Sequence, residues 1–139
     1  MIVLDTNVIS PLMRNVSDER AVSWLDNQPW ESLWLTAISL FELRYGIEIC
    51  PPGRRRQELE HGLARILDAG FQNRILDFNS DAASAAALIA ARRRKSGRTS
   101  EIRDTLIAGI VVAHGADFAT RNVRHFQDLD VRVIDPWAS

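Results

Sequence analysis

The sequence predicts an α/β fold: a mainly parallel sheet of about five short strands with helices on both faces. Three observations predict it. Short, continuous apolar runs alternate with segments of helical periodicity, the pattern of strands buried on both sides by crossover helices. The helical segments stop at Gly or Pro, as at Pro51-Pro52-Gly53, Ser96-Gly97 and Gly115. The chain has 139 residues, 46% of them hydrophobic, which suits one domain over 1–139 with a core of its own.

Taken in order, Met1 to Leu4 is an apolar run that reads as the first buried strand. Thr6 to Arg14 follows as a short helix in which Pro11 must sit early or bend the axis. Ser17-Asp18 can cap a second helix, with Ala21, Val22, Trp24 and Leu25 on its apolar side before Pro29. Leu33 to Thr36 reads as the second strand, and Ile38 to Ile49 as a helix. Gln57 to Leu67 is helical, with Leu59, Leu63, Ile66 and Leu67 on one side. Ile75 to Phe78 is a third strand. Asp81 to Lys95 is an alanine-rich helix and Glu101 to His114 another, with Thr99 or Ser100 able to cap it. Phe118 to Thr120 and Val131 to Ile134 complete the strands before Pro136.

Composition narrows the function. A quarter of the residues are charged, and every apolar run is far shorter than the roughly 20 residues of a spanning helix, so no membrane role is expected. The N-terminus carries no basic stretch followed by a long apolar one, so no secretory signal is read there. A single cysteine, Cys50, cannot form an internal disulfide and has no companion for zinc; a reducing, cytoplasmic setting is expected. The formal net charge is −1, so any nucleic-acid contact must come from local clusters. Arg54 to Arg56 form one cluster. Arg92, Arg93, Arg94, Lys95 and Arg98 form another, either a solvated helix end or a strip for phosphates. The tryptophans Trp24, Trp30, Trp34 and Trp137 suit a core or an interface.

In parallel sheets, functional groups collect at the carboxyl ends of the strands. Asp5 stands there, directly after Ile2-Val3-Leu4 and before Thr6-Asn7, although an Asp in that position also serves as a helix cap. Glu42 shares a helical face with Ile38, Tyr45, Gly46 and Ile49, and Asp104 shares one with Ile107, Ala108 and Val111. A carboxylate on an apolar face needs a partner, either an arginine or a metal ion. Thr120 and Asn122 bring oxygens to another strand end. Carboxylates gathered together repel, and a hard divalent cation relieves that repulsion. Oxygen donors with room for water suit Mg²⁺ or Mn²⁺. Motifs for zinc hydrolases, serine hydrolases, P-loops and dinucleotide folds do not occur.

In order, the segments "IVLDTNVIS", "TAISLFELRYGI", "EIRDTLIAGIVVAHG", "FATRNVRHF" and "VIDPW" resemble the PIN-domain ribonucleases, in particular the VapC-type toxins of type II toxin–antitoxin pairs and their FitB-like branch. The resemblance spans nearly the whole chain. It implies a Mg²⁺-dependent endoribonuclease, with Mn²⁺ able to substitute, whose catalytic acids are Asp5, Glu42 and Asp104. Asp5 and Asp104 would be direct metal ligands, and Glu42 would hold a ligand water or a second ion. Thr6, Asn7, Thr120 and Asn122 would support the site. Asn122 stands where a fourth acid is expected, which removes one charge. Asp117 lies at the wrong end of its strand to replace that acid, and Asp128 and Asp130 fall in a loop without an assigned role.

Arg44, Arg121 and the basic run Arg92, Arg93, Arg94, Lys95 and Arg98 are candidates for RNA contact. His125 is either a general acid or a surface histidine. The resemblance also implies a homodimer and a small antitoxin, VapB- or FitA-like, that wraps the toxin and carries DNA binding. Two other readings stay open. One is a catalytically weakened PIN-like module that binds RNA or a protein partner. The other uses Asp5 as a covalent nucleophile, which wants a nearby lysine where the chain offers only Lys95.

Overall fold

The computed structural model describes residues 1–14 and 18–138. Its strands are β1 (Ile2–Leu4), β2 (Leu33–Thr36), β3 (Ile75–Leu76), β4 (Asp117–Ala119) and β5 (Val133–Ile134). Its helices are α1 (Thr6–Ile9), α2 (Glu19–Asp26), α3 (Ala37–Glu48), α4 (Arg54–Asp68), α5 (Ser80–Lys95) and α6 (Ile102–His114). All strand pairings are parallel, in the order β3-β2-β1-β4-β5. This is the predicted α/β architecture.

The continuous apolar runs have a simple cause. Side chains alternate across a strand, and both faces of this sheet are covered. Ile2, Leu4, Leu33, Leu35 and Ala119 enter one core layer with residues of α1, α2, α3 and α4. Val3 and Phe118 enter the other, with α5 and α6. On that second face the helices approach very closely. A Cβ on Gly109 of α6 would fall 2.5 Å from the Ala82 carbonyl oxygen and 2.6 Å from the Ala86 Cβ, so the alanine-rich face of α5 and this glycine are one packing device.

Several boundaries differ from the sequence expectations. Pro11 ends α1 early, and Ser10–Met13 continues as a 3-10 turn. Helix α4 begins at Arg54, so the first arginine cluster is its opening turn. Glu101 caps α6, rather than Thr99 or Ser100: its carboxylate accepts from the N–H groups of Arg103 and Asp104. For α2, Ser17 lies outside the described residues. Asp18 stands at the cap position, but its carboxylate accepts instead from the Trp137 indole N–H. Trp137 and Phe71 are core residues, whereas Trp30 remains 42% exposed. Strands β3 and β5 are shorter than predicted. Among the described residues, no helix is long and apolar enough to cross a membrane.

Register determines what meets at the carboxyl edge. Leu4 pairs with Ala119, so Asp5 and Thr120 are neighbours just beyond β1 and β4. The chain runs outward from β1 through β2 to β3 and then crosses back to β4. The gap between β1 and β4 is therefore the point where the winding reverses, where open α/β sheets leave a crevice.

Candidate active site

Asp5 is only 4% exposed, and its carboxylate is held from two sides. Oδ1 accepts from the Thr6 N–H at 2.8 Å, and Oδ2 accepts from the Thr120 hydroxyl at 2.7 Å. Burial pushes the Asp5 carboxyl up to about 6. The two hydrogen bonds oppose that rise, while the charges of Asp104 and Glu42 add to it. Thr120 Oγ1 also accepts from the Asn122 N–H at 3.0 Å, and Asn7 Oδ1 accepts from the Arg121 N–H at 3.1 Å. Asp5 with Thr120, and Asn7 with Arg121, thus tie the ends of β1 and β4 together, while the Thr6 hydroxyl reaches α3. Asn122 takes part here through its backbone and is exposed.

Glu42 approaches from α3. Its Oε1 accepts from the Thr6 hydroxyl at 2.8 Å, and that hydroxyl also contacts Ser39 Oγ at 2.9 Å. Burial raises its proton affinity first. Thr6 and Arg103 lower it, and Asp104 and Glu101 raise it. Asp104 projects from the first turn of α6. Its carboxyl is also raised, by burial above all and then by Glu101, against the lowering effects of His125 and Arg93. Each of the three acids therefore raises, or is raised by, another of the three, which places them in one electrostatic site.

As placed, among the described residues, no group of three or more Asp, Glu, His or Cys side chains stands close enough to hold a metal ion outright. The donor set nevertheless fits a hard cation. It is all oxygen, it is charge-repelled, and Asp5 is desolvated with hydroxyl and amide partners that leave its negative charge in place. Mg²⁺ commonly takes one or two carboxylates and completes its shell with water and substrate oxygens.

Residues 2–131 match the PIN domain family. The chain is 39% identical to the plasmid stability protein StbB of Pseudomonas syringae pv. tomato over 99% of both chains, and 38% identical to the VapC ribonuclease Y4jK of Sinorhizobium fredii over 99% of this chain and 98% of that one. This chain belongs to the PIN-domain family. Its fold superposes on the crystal structure of FitAcB from Neisseria gonorrhoeae with a TM-score of 0.89, at 35% identity and full coverage of both chains.

The three acids of this PIN domain do not share one environment. Asp104 lies on a face whose other members, Ile107, Ala108 and Val111, are completely buried, as expected. The face of Glu42 is different. Tyr45 is 49% and Ile49 64% exposed, and the buried side of α3 is Ser39, Leu43 and Ile47. Glu42 itself is half-buried, its side chain 20% exposed against 28% for Asp104, because Thr6 and Arg103 stand against it while Tyr45 and Ile49 lie in solvent.

The second basic cluster also requires correction. Arg93, expected among the RNA contacts, is 2% exposed and paired with Asp128 at 2.8 Å. Arg98 is drawn to the same carboxylate at 3.3 Å. Helical spacing turns Arg93 inward while Arg92, Arg94 and Lys95 stay exposed. Arg44 lines a groove between α3 and α4 with Glu48, Glu60 and Asp68, apart from the three acids. Arg121 is exposed, its guanidinium 4.7 Å from the Trp137 ring centre. Asp117 pairs with Arg132 at 3.3 Å, at the far end of β4.

Three site residues escaped the sequence reading. Thr36 and Ser39, both fully buried, form a hydroxyl chain behind Thr6 and Glu42: the Ser39 N–H donates to Thr36 Oγ1 at 3.0 Å. A serine one helical turn before Glu42 was the available signal. Arg103 stands 3.8 Å from Glu42 and 3.2 Å from Glu101. Its position beside Asp104, in the opening turn of α6, was the signal for it.

Proposed function

We propose that this PIN domain is a cytoplasmic Mg²⁺- or Mn²⁺-dependent endoribonuclease that acts as the toxin of a toxin–antitoxin pair. The observation that carries the reading is that Thr6 joins the carboxylates of Asp5 and Glu42 at the reversal point of the sheet, with Asp104 close enough to raise the proton affinity of both. Asp5 and Asp104 would hold the cation, with Glu42 beside it. When bound, the cation supplies a water of lowered proton affinity and neutralises charge on the phosphoryl oxygens. The residues of the chain do the rest. Thr6 and Thr120 orient the Asp5 oxygens, and the Thr36–Ser39 hydroxyls keep Thr6 and Glu42 in place. Glu42, whose proton affinity is raised, is suited to accept a proton at Oε2, which stands 3.8 Å from Arg103 while Oε1 accepts from Thr6. Exposed Arg92, Arg94, Lys95 and Arg121 are available to the RNA backbone.

The VapC ribonuclease name of a relative covering nearly the whole chain supports RNA as substrate. A partner is supported by the surface. An apolar groove of about 440 Å³, lined by Met13, Leu43, Ile47, Pro51 and Leu59 among others, opens beside Glu42. A small antitoxin, VapB- or FitA-like, seated there would cover the acids, and the exposed stripe Phe41, Tyr45 and Ile49 suits a homodimer. Two observations favour a catalytically weakened module as the second reading: Asn122 in place of an acid, and an Arg103 guanidinium already beside Glu42. Purified, antitoxin-free protein assayed on RNA with Mn²⁺ and with excess chelator separates them. Metal-dependent cleavage supports the nuclease. Cutting that persists in chelator, or no cutting and no Mn²⁺ uptake, rules it out.

A further inference from the structure

The imidazole of His125 stands at the mouth of the acidic site, with Nδ1 3.9 Å from Asp104 Oδ2 and a side chain 62% exposed. It belongs to the 3-10 turn Val123–Phe126, and an exposed turn residue is ordinarily held loosely. Here its backbone is tied from behind. Arg93, inside α5, donates from Nη2 to the His125 carbonyl at 2.8 Å. The same guanidinium grips both oxygens of Asp128, at 2.8 and 3.0 Å, and reaches Thr105 Oγ1, next to Asp104, at 3.5 Å. Arg98 donates to the Arg124 carbonyl at 3.2 Å and stands 3.3 Å from Asp128. Phe126, directly after His125, is fully buried and lies beneath Arg93.

Consecutive carbonyls, those of Arg124 and His125, are therefore held by arginines that share one carboxylate. An ion cluster with one fully buried member, Arg93, is a poor source of net stability, because the desolvation of that charge offsets much of the attraction. What such a cluster supplies well is geometry: a bidentate guanidinium fixes direction as well as distance. The geometry supplied here is that of one exposed imidazole facing Asp104.

We propose that His125 contacts the RNA phosphodiester, donating a hydrogen bond to a non-bridging phosphoryl oxygen, and that Arg93, Arg98 and Asp128 are positioning residues acting through it. The proposal rests on the nuclease reading above for its substrate. Arg93 and Arg98 then serve RNA binding from behind the site instead of touching the backbone themselves. A cluster that serves the fold alone would alter melting and leave both RNA contact at His125 and turnover unchanged.

The test follows the ring Cε1–H signal of His125 by NMR in the full chain, assigned with His125→Ala, during titration with a single-stranded RNA oligonucleotide in excess chelator. A saturable shift is expected in the wild type and in Asp5→Asn, and loss of that shift in Asp128→Asn. Arg98→Met, which leaves the Arg93–Asp128 pair in place, carries the test if Asp128→Asn does not fold. In Mn²⁺, His125→Ala should lower kcat/KM for the same RNA by about a hundredfold, the cost of deleting a hydrogen bond to a charged oxygen. Asp128→Asn should match it, and the double variant should fall no further. Absence of the ring shift, or losses that multiply in the double variant, would overturn the proposal. A preserved shift with no cleavage under Mn²⁺ would instead remove the nuclease reading and leave the phosphate contact standing.

Discussion

Helices α3 and α6 present the same pattern in sequence, an acid among apolar residues at helical spacing, and they end in different surroundings. Helix α6 lies between the sheet and α5, so Ile107, Ala108 and Val111 around the face of Asp104 lose all contact with water. Helix α3 buries Leu43 and Ile47 and leaves Phe41, Tyr45 and Ile49 in solvent. The comparison teaches that an apolar helix face marks an intended contact, and that the contact lies inside the chain for α6. For α3 the apolar neighbours of Glu42 await something else, consistent with the partner proposed above.

The largest effect should come from the acids themselves. Asp5→Asn and Asp104→Asn should each reduce Mn²⁺-dependent RNA cleavage by roughly a hundredfold to a thousandfold, the usual cost in kcat of removing a charge-stabilising group. Circular dichroism should be unchanged. Cleavage within about tenfold of wild type in Asp104→Asn would separate α6 from the chemistry.

Next, truncation should divide the helices. Ile107→Ala, in the closed face of α6, should cost about 2–5 kcal/mol in denaturant melts. Ile49→Ala, at 64% exposure on α3, should stay within about 0.5 kcal/mol while weakening any homodimer or antitoxin complex. Equal losses at both positions would erase the contrast between the helices.

A third effect concerns the buried carboxylate between them. Metal-free, the folded Asp5 carboxyl titrates near 6, against 3.8 in the unfolded chain. Between those values the folded state binds the extra proton, so this group makes stability fall as pH rises from about 4 to about 6, by on the order of 3 kcal/mol, and adds nothing further above that. Melting temperatures measured in chelator should show this slope. It should flatten in Asp5→Asn, and in wild type with saturating Mn²⁺.

The smallest effects are at two glycines. Gly109→Ala drives a methyl into the Ala82 carbonyl and should cost about 1–3 kcal/mol. Gly46→Ala, with nothing within 4 Å of its added Cβ, should gain up to ~1 kcal/mol from helix propensity alone. A stabilised Gly109→Ala would mean that α5 and α6 can separate at little cost.

Much of this was legible before any coordinates. The alternation of runs predicted the sheet, and strand ends pointed to Asp5 and Thr120. The match over residues 2–131 shows the PIN family that the segments resemble, and that resemblance implied Asp5, Glu42 and Asp104 as the site's acids. What escaped were features set by a side chain's reach. Arg93 reads as one cation in a basic run, and only its turn toward Asp128 makes it a buried clamp. Ser39 reads as an ordinary helix serine until Thr6 and Thr36 close around it.

By itself, the sequence determined the identity and order of the elements and the acids at their ends, because hydrophobic periodicity and chain-breaking residues act within a few positions. Tertiary structure alone decided which apolar faces closed, which arginine went inside, and that Asp5 meets Thr120 across the β1–β4 gap. Those outcomes depend on register and on the neighbour packed against each face, and both are properties of segments distant in the chain.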